Sequence, residues 1–214
     1  MSTTVERHHV RRQRQRADYD RASIHRILDA GWIAHVGFSV RAQPFVIPML
    51  YARDGDSLLL HGSLGSRLMR TLGSGVEACV SVALVDGLVL ARSHFHHSMN
   101  YRSVVVYGRA REVTDPTEKF EAQRALVEHV VPGRSADARL PNDRELHQTT
   151  ILAIPMDEAS AKVRTGPPKD EDEDLELPVW AGVLPFTTVP GEPVPDPLLP
   201  NGIDPPSYVT DYRR

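Results

Sequence analysis

The feature that most constrains this chain is a change of hydrophobic period at Trp32. From there WIAHVGFSV, PFVIPMLYA and SLLLHG alternate apolar and polar residues, separated only by RAQ and RDGD. Period two marks strands with one buried face. Connections this short join antiparallel neighbours, because a parallel pair needs a long crossover. In the second connection Asp54-Gly55 supplies the positive φ of a hairpin turn.

The same reading extends in both directions. Before Trp32, Ile24, Ile27 and Leu28 recur at helical spacing, with Asp20 as N-cap and Gly31 as the stop. After the third strand a short helix is predicted from Ser66 to Leu72, closed by Gly73 and Gly75. VEACVSVALVDGLVLA reads as a hairpin through Asp86-Gly87, and SVVVYGRAREV as a strand from Ser103 to Val113. DPTEKFEAQRALVEHVV reads as an amphipathic helix, capped by Asp115, opened by Pro116, with Phe120, Leu126, Val127 and Val130 on one face. ILAIPMDEASAKVRT reads as one last strand, bulged near Pro155 and Met156. The expected fold is mainly β with peripheral helices: a small six-stranded antiparallel barrel, whose closure removes exposed edges.

The ends differ from this middle. Residues 1–17 are polar and arginine-rich and are expected to form a flexible arm, leaving a folded domain over 18–166. Eleven of the 17 prolines fall between Pro167 and Pro206, and DEDEDLE occupies 170–176. Such a segment has no core of its own. The cluster LPVWAGVLPF (177–186) predicts that the 167–214 extension wraps the barrel or a partner, because Trp180, Val183, Leu184 and Phe186 are costly to leave wet.

Composition narrows the function classes. With 41% hydrophobic and 25% charged residues the chain is globular, and its net charge of −3 gives no field for nucleic acid or acidic lipid. The apolar run from Val76 to Ala91 is too short and too charged to span a bilayer. A single cysteine, Cys79, excludes a disulfide framework and a CxxC metal site, so a reducing cytoplasmic setting is expected. GxSxG, GxxxxGK[ST] and HExxH are absent, and Gly73-Ser-Gly75 lacks the third glycine of a dinucleotide fingerprint.

Three polar clusters interrupt the apolar pattern. HGSLGSR (61–67) joins a strand to a helix. Its small residues allow close backbone approach, Ser63 and Ser66 offer hydroxyls, and Arg67 offers a guanidinium suited to phosphate; the alternative is a plain capped turn. HFHHSMNYRS (94–103) sets three histidines, Asn100, Tyr101 and Arg102 between apolar strands. His94 and His96 would share one strand face, but no cysteine or nearby carboxylate completes a metal site, and none is assigned. His35, mid-strand, is expected in the core or an interface. Lys162 and Arg164 in KVRTGPP (162–168) alternate onto one face and read as solvated charges.

At these clusters the chain resembles the pyridoxamine 5'-phosphate oxidase-related, FMN-binding split β-barrels, and more narrowly the flavin-nucleotide-binding branch that includes nitroimidazole-resistance proteins. The matching stretches are VIPMLY (46–51), LLLHGSLGSRLMR (58–70), HHSMNYRSVVVYGRARE (96–112), KVRTGPP (162–168) and LPVWAGVLP (177–185). The resemblance implies a homodimeric split barrel with FMN in clefts at the subunit interface. Ile47, Pro48 and Met49 would lie along the isoalloxazine ring, and His61, Gly62, Ser63, Ser66 and Arg67 would hold the ribityl chain and phosphate. Tyr101, Arg102 and Ser103 would approach the flavin, often from the partner chain, with Lys162 and Arg164 as basic residues near flavin or substrate. His61 is the candidate proton donor. The implied activity is a flavin-dependent oxidoreductase acting on a small aromatic molecule. The Arg-Leu-His pattern of true pyridoxamine-phosphate oxidases is absent, so vitamin B6 oxidation is not implied. A second reading is a carrier or sensor of flavin or haem without turnover, with an axial ligand from the 94–97 loop.

Overall fold

The computed structural model describes residues 7–213. Ten strands form one antiparallel sheet: β1 (Ala17–Asp18), β2 (Ile33–Val40), β3 (Gln43–Asp54), β4 (Ser57–Ser63), β5 (Glu77–Leu90), β6 (Ser98–Arg109), β7 (Arg111–Glu112), β8 (Thr149–Pro155), β9 (Glu158–Arg164) and β10 (Gly182–Pro185). Six helices surround it: α1 (Arg21–Asp29), α2 (Arg67–Gly73), α3 (Pro116–Val130), α4 (Arg134–Asp137), α5 (Asp143–Gln148) and α6 (Ser207–Thr210). The strands run β1-β9-β6-β5-β2-β3-β4-β8-β7, with β10 added onto β5.

The shape follows from β3. From Gln43 to Leu50 it pairs only with β2, and from Tyr51 to Asp54 only with β4. One strand therefore passes from one half of the sheet to the other and turns the surface round, giving a split barrel that does not close. The inner core includes Val36, Tyr51, Leu58, Leu60, Val80, Val106 and Ile154, together with Ile24, Ile27 and Leu28 of α1. Here the Tyr51 hydroxyl donates to the Leu28 carbonyl at 2.5 Å. A second, smaller core lies on the other face of β4 and β8, where Leu59, Ile151 and Ala153 meet Ala122 and Leu126 of α3. Asp20, Ser66 and Asp115 cap α1, α2 and α3.

Several expectations are corrected. Asp86-Gly87 is no hairpin turn: β5 runs straight through, with a register shift between Val85 and Gly87. The small residue is needed because β10 crosses there, and a Cβ on Gly87 would lie 2.7 Å from the Leu184 carbonyl oxygen. The segment read as one last strand folds into β8 and β9, which pair with different neighbours, β4 and β6. The expected hairpin thus becomes one strand and the expected last strand becomes two. His94 and His96 lie in a short 3-10 turn rather than on a strand face. His35 is exposed on the outer face of β2, which overturns the core alternative and leaves the interface one.

The ends are also more ordered than expected. Residues 7–18 of the arm pack along the barrel: Arg7 bridges Glu77 and Glu158 at 2.8 and 2.5 Å, and β1 pairs with the free edge of β9. An unpaired strand edge offers N–H and C=O groups that a neighbouring segment satisfies. The C-terminal extension wraps mainly through backbone pairing of β10 with Gly87–Leu90. Its Trp180 stays 67% exposed. The last residues return to α3 and α4: Tyr208 bonds Arg134 and Asp137 of α4, and Tyr212 bonds the Val130 carbonyl of α3. Among the described residues no helix is long and apolar enough to cross a membrane.

Candidate functional site

Apart from His61, the sequence-predicted residues fall into two groups. The first surrounds the unpaired edge of β3. Ile47 and Met49 turn inward onto the main core, while Pro48 points out. Among the described residues no strand pairs with the second edge of Gln43–Leu50, which leaves its backbone groups outside the ladder. Gly62 lets β4 pass close to α2, since a Cβ there would meet Met69 at 2.8 Å. Ser66 is spent on capping: its Oγ accepts from the Met69 N–H at 3.5 Å. Ser63 and Arg67 are exposed. The Arg67 guanidinium lies 4.4 Å from the centroid of the Phe45 ring, which stacks on Phe38 at 5.4 Å. Among the described residues no carboxylate pairs with Arg67. A cation held by an aromatic face keeps its N–H donors open for an anion. Phe45 was missed from the sequence, although it shares the inward alternation of Ile47 and Met49.

The second group sits on β6 and β9, separated from β3 in strand order by β5 and β2. Tyr101, Arg102 and Ser103 face Arg164, Val163 and Lys162 across the ladder, and the Ser103 hydroxyl donates to the Lys162 carbonyl at 3.2 Å. Arg102 forks onto Asp86 at 2.7 to 3.2 Å, and this carboxylate raises its pKa. Arg164 is not a solvated charge. It is buried and donates to Asn100 Oδ1 at 2.5 Å and to the Gly166 and Pro167 carbonyls at 3.2 Å, fixing the exit into the extension. Burial, then the nearby Arg16 charge, lowers its pKa. No hydrogen bond or ion pair joins the two groups within one chain among the described residues.

His61 belongs to neither group. It points through the outer face of β4 into a cavity of about 270 Å³ under α3, lined by Leu50, Gln123, Leu126, Val127 and Val130, with Arg134 also on its wall. Its Nδ1 and the Gln123 Oε1 are buried without a hydrogen-bond partner. Burial pushes its pKa below the usual 6.5, which favours the neutral imidazole. In the 94–97 loop, His97 is exposed with Nδ1 against the Ser93 carbonyl at 2.8 Å, and His96 meets Glu171 at 3.3 Å. Among the described residues no cluster of three or more His, Cys, Asp or Glu side chains is placed to hold a metal ion.

Known proteins share this architecture. The flavocytochrome Anf3 from Azotobacter vinelandii is 39% identical over 97% of this chain and 96% of its own, with a TM-score of 0.90. The FAD and heme binding protein from Mycobacterium smegmatis is 35% identical over 92% of this chain and 96% of its own, with a TM-score of 0.88. A candidate 5-nitroimidazole antibiotic resistance protein from Bacteroides thetaiotaomicron shares the fold, at 23% identity over 69% of this chain and 86% of its own and a TM-score of 0.58. No curated protein matches the sequence. The family model described as pyridoxamine 5'-phosphate oxidase matches residues 20–163, and the chain belongs to that family.

Proposed function

We propose that this protein binds a flavin nucleotide and exchanges electrons with a small aromatic molecule through it. The observation that carries the reading is the open β3 edge beside a carboxylate-free Arg67. Arg67 would grip the phosphate, and the backbone of Ile47, Pro48 and Met49 would run along the ring. The flavin, when bound, supplies the redox chemistry; the protein supplies position and charge. The resemblance points to FMN, whereas one relative spanning nearly the whole chain is named for FAD. Both nucleotides therefore belong in the test: the absorbance spectrum of the purified protein, with mass identification of the released cofactor. A colourless protein that takes up neither FMN nor FAD would end this reading.

The working unit is proposed to be a homodimer in the reducing cytoplasm. Ile33, Val46 and Leu50 are 45%, 65% and 39% exposed on the outer face of β2 and β3, beside Pro48. That apolar face lies next to the open edge, and a second copy covering it would bring Tyr101, Arg102, Ser103 and Lys162 towards its partner's flavin. Light scattering on the purified protein tests this.

A second reading is favoured by His61: the protein also takes haem. A neutral imidazole among apolar walls, with Arg134 on the lining and already donating to the Tyr208 hydroxyl, suits haem by donor type. His61 would hold the iron, and the cavity walls would exclude water; the haem would supply a one-electron centre. His97, the ligand suggested by the sequence, stands exposed on its turn. A Soret band after haem titration, lost in His61→Ala and kept in His97→Ala, supports the His61 site; the reverse pattern assigns the loop.

A further inference from the structure

Two cavities flank Arg102, and neither belongs to the β3 edge. One, of about 490 Å³, lies where the N-terminal arm crosses α1 and β6. Arg16, Arg26 and Arg102 all line it, against a single lining carboxylate, Asp18. Asp18 already accepts from the Asp20 N–H at 2.9 Å, and Arg102 is paired with Asp86. Arg26 donates to the Ser23 hydroxyl at 2.7 Å and shares the charge of Asp18, whose pKa is lowered by hydrogen bonds from Ser23 and the Asp20 N–H and then by Arg26; among the described residues no hydrogen bond or ion pair joins Arg16 to a carboxylate. Guanidinium groups gathered round one cavity repel each other until an anion joins them, and their planar forks match phosphate oxygens.

The other cavity, of about 700 Å³, lies between β5 and the segment that follows β10. Its walls include Trp32, Leu84, Val85, Phe186 and Tyr212, with Asp86 and Arg102 also on the lining. The Trp32 indole N–H donates to the Tyr212 hydroxyl at 3.0 Å, fixing two aromatic walls relative to each other. A roomy slot with aromatic sides suits a flat heterocycle, with Asp86 as an acceptor for its amino group.

Arg102 is common to both linings. We propose that the two cavities together bind the ADP moiety of a nucleotide, its base under the C-terminal segment and its phosphates running past Arg102 to Arg26 and Arg16. This moiety has two sources: a free nucleotide, or the adenylate half of FAD. Only the second rests on the flavin reading above.

The test is calorimetric titration of the full-length protein with ADP and, separately, with adenosine. ADP is expected to bind. Arg26→Ala should weaken ADP about 10-fold or more and leave adenosine within about 2-fold, the scale of one charge-assisted contact. Arg26→Lys should recover part of the loss, and Phe186→Ala should weaken both ligands. ADP that binds FMN-loaded but not FAD-loaded protein identifies the adenylate half of FAD as the occupant. ADP that binds both identifies a free nucleotide. Absence of ADP binding to flavin-free protein, or ADP affinity unmoved by both Arg26→Ala and Phe186→Ala, overturns the assignment. Equal losses of ADP and adenosine in Arg26→Ala overturn the phosphate seat.

Discussion

The Tyr212 hydroxyl joins Trp32 to α3: it accepts from the Trp32 indole N–H at 3.0 Å and donates to the Val130 carbonyl at 2.8 Å. These bonds tie the end of the proline-rich extension to the barrel from the side opposite β10 in sequence. Tyr212→Phe keeps the ring and removes both bonds. It should lower the unfolding free energy by about 1–2 kcal/mol, read from urea denaturation. An unchanged midpoint would show that the terminal segment adds nothing to stability.

Gly87 is fixed by closeness rather than by its dihedral angles. A Cβ there would meet the Leu184 carbonyl oxygen at 2.7 Å and Pro185 Cα at 3.0 Å, both backbone atoms of β10. Gly87→Ala should force β10 off β5, costing about 1–3 kcal/mol, the scale of an overpacked contact. Amide exchange at residues 182–184 should quicken while exchange in β2 and β3 is unchanged. Truncation after Thr165 should lower the melting temperature further, since it removes β10 and the Tyr212 bonds together.

Among the described residues the Arg67 guanidinium has no hydrogen bond or ion pair, only the Phe45 ring. Arg67→Ala should therefore leave the melting temperature of flavin-free protein nearly unchanged. It should weaken flavin binding by about 1.5–3 kcal/mol, the scale of a lost hydrogen bond to a charged group. Fluorescence titration with FMN and FAD measures it, and equal affinity in both proteins would remove Arg67 from the site.

His61 makes stability depend on pH. Burial depresses its pKa in the folded chain below the usual 6.5, so the unfolded chain takes up its proton first as pH falls. This contribution is complete above the unfolded value and is lost as pH drops through it towards the folded one. In ligand-free protein the urea midpoint should fall between about pH 7.5 and about pH 5.5, and His61→Phe should flatten that fall.

Much of the fold was legible because local signals and tertiary packing agree along β2, β3, β4, α1 and α3. Alternation set the faces, Gly55 set the turn, and Asp20, Ser66 and Asp115 set the helix starts. The reading failed where a distant segment decides local structure. Asp86-Gly87 has the composition of a turn, yet β10, almost a hundred residues later, uses the glycine to lie against a continuous strand. The turn between β8 and β9 carries no Asn-Gly or Asp-Gly pair, and its strands separate because they pair with different neighbours.

The sequence by itself determined β2, β3, β4, α1 and α3 and the three cap residues, because these depend on neighbours within a few positions. Only the tertiary structure decided that Arg164 is a buried clamp, that His61 faces α3 and that Arg102 stands between two cavities. Those roles depend on which surfaces meet after folding, and a side chain's charge or polarity says nothing of what will lie opposite it.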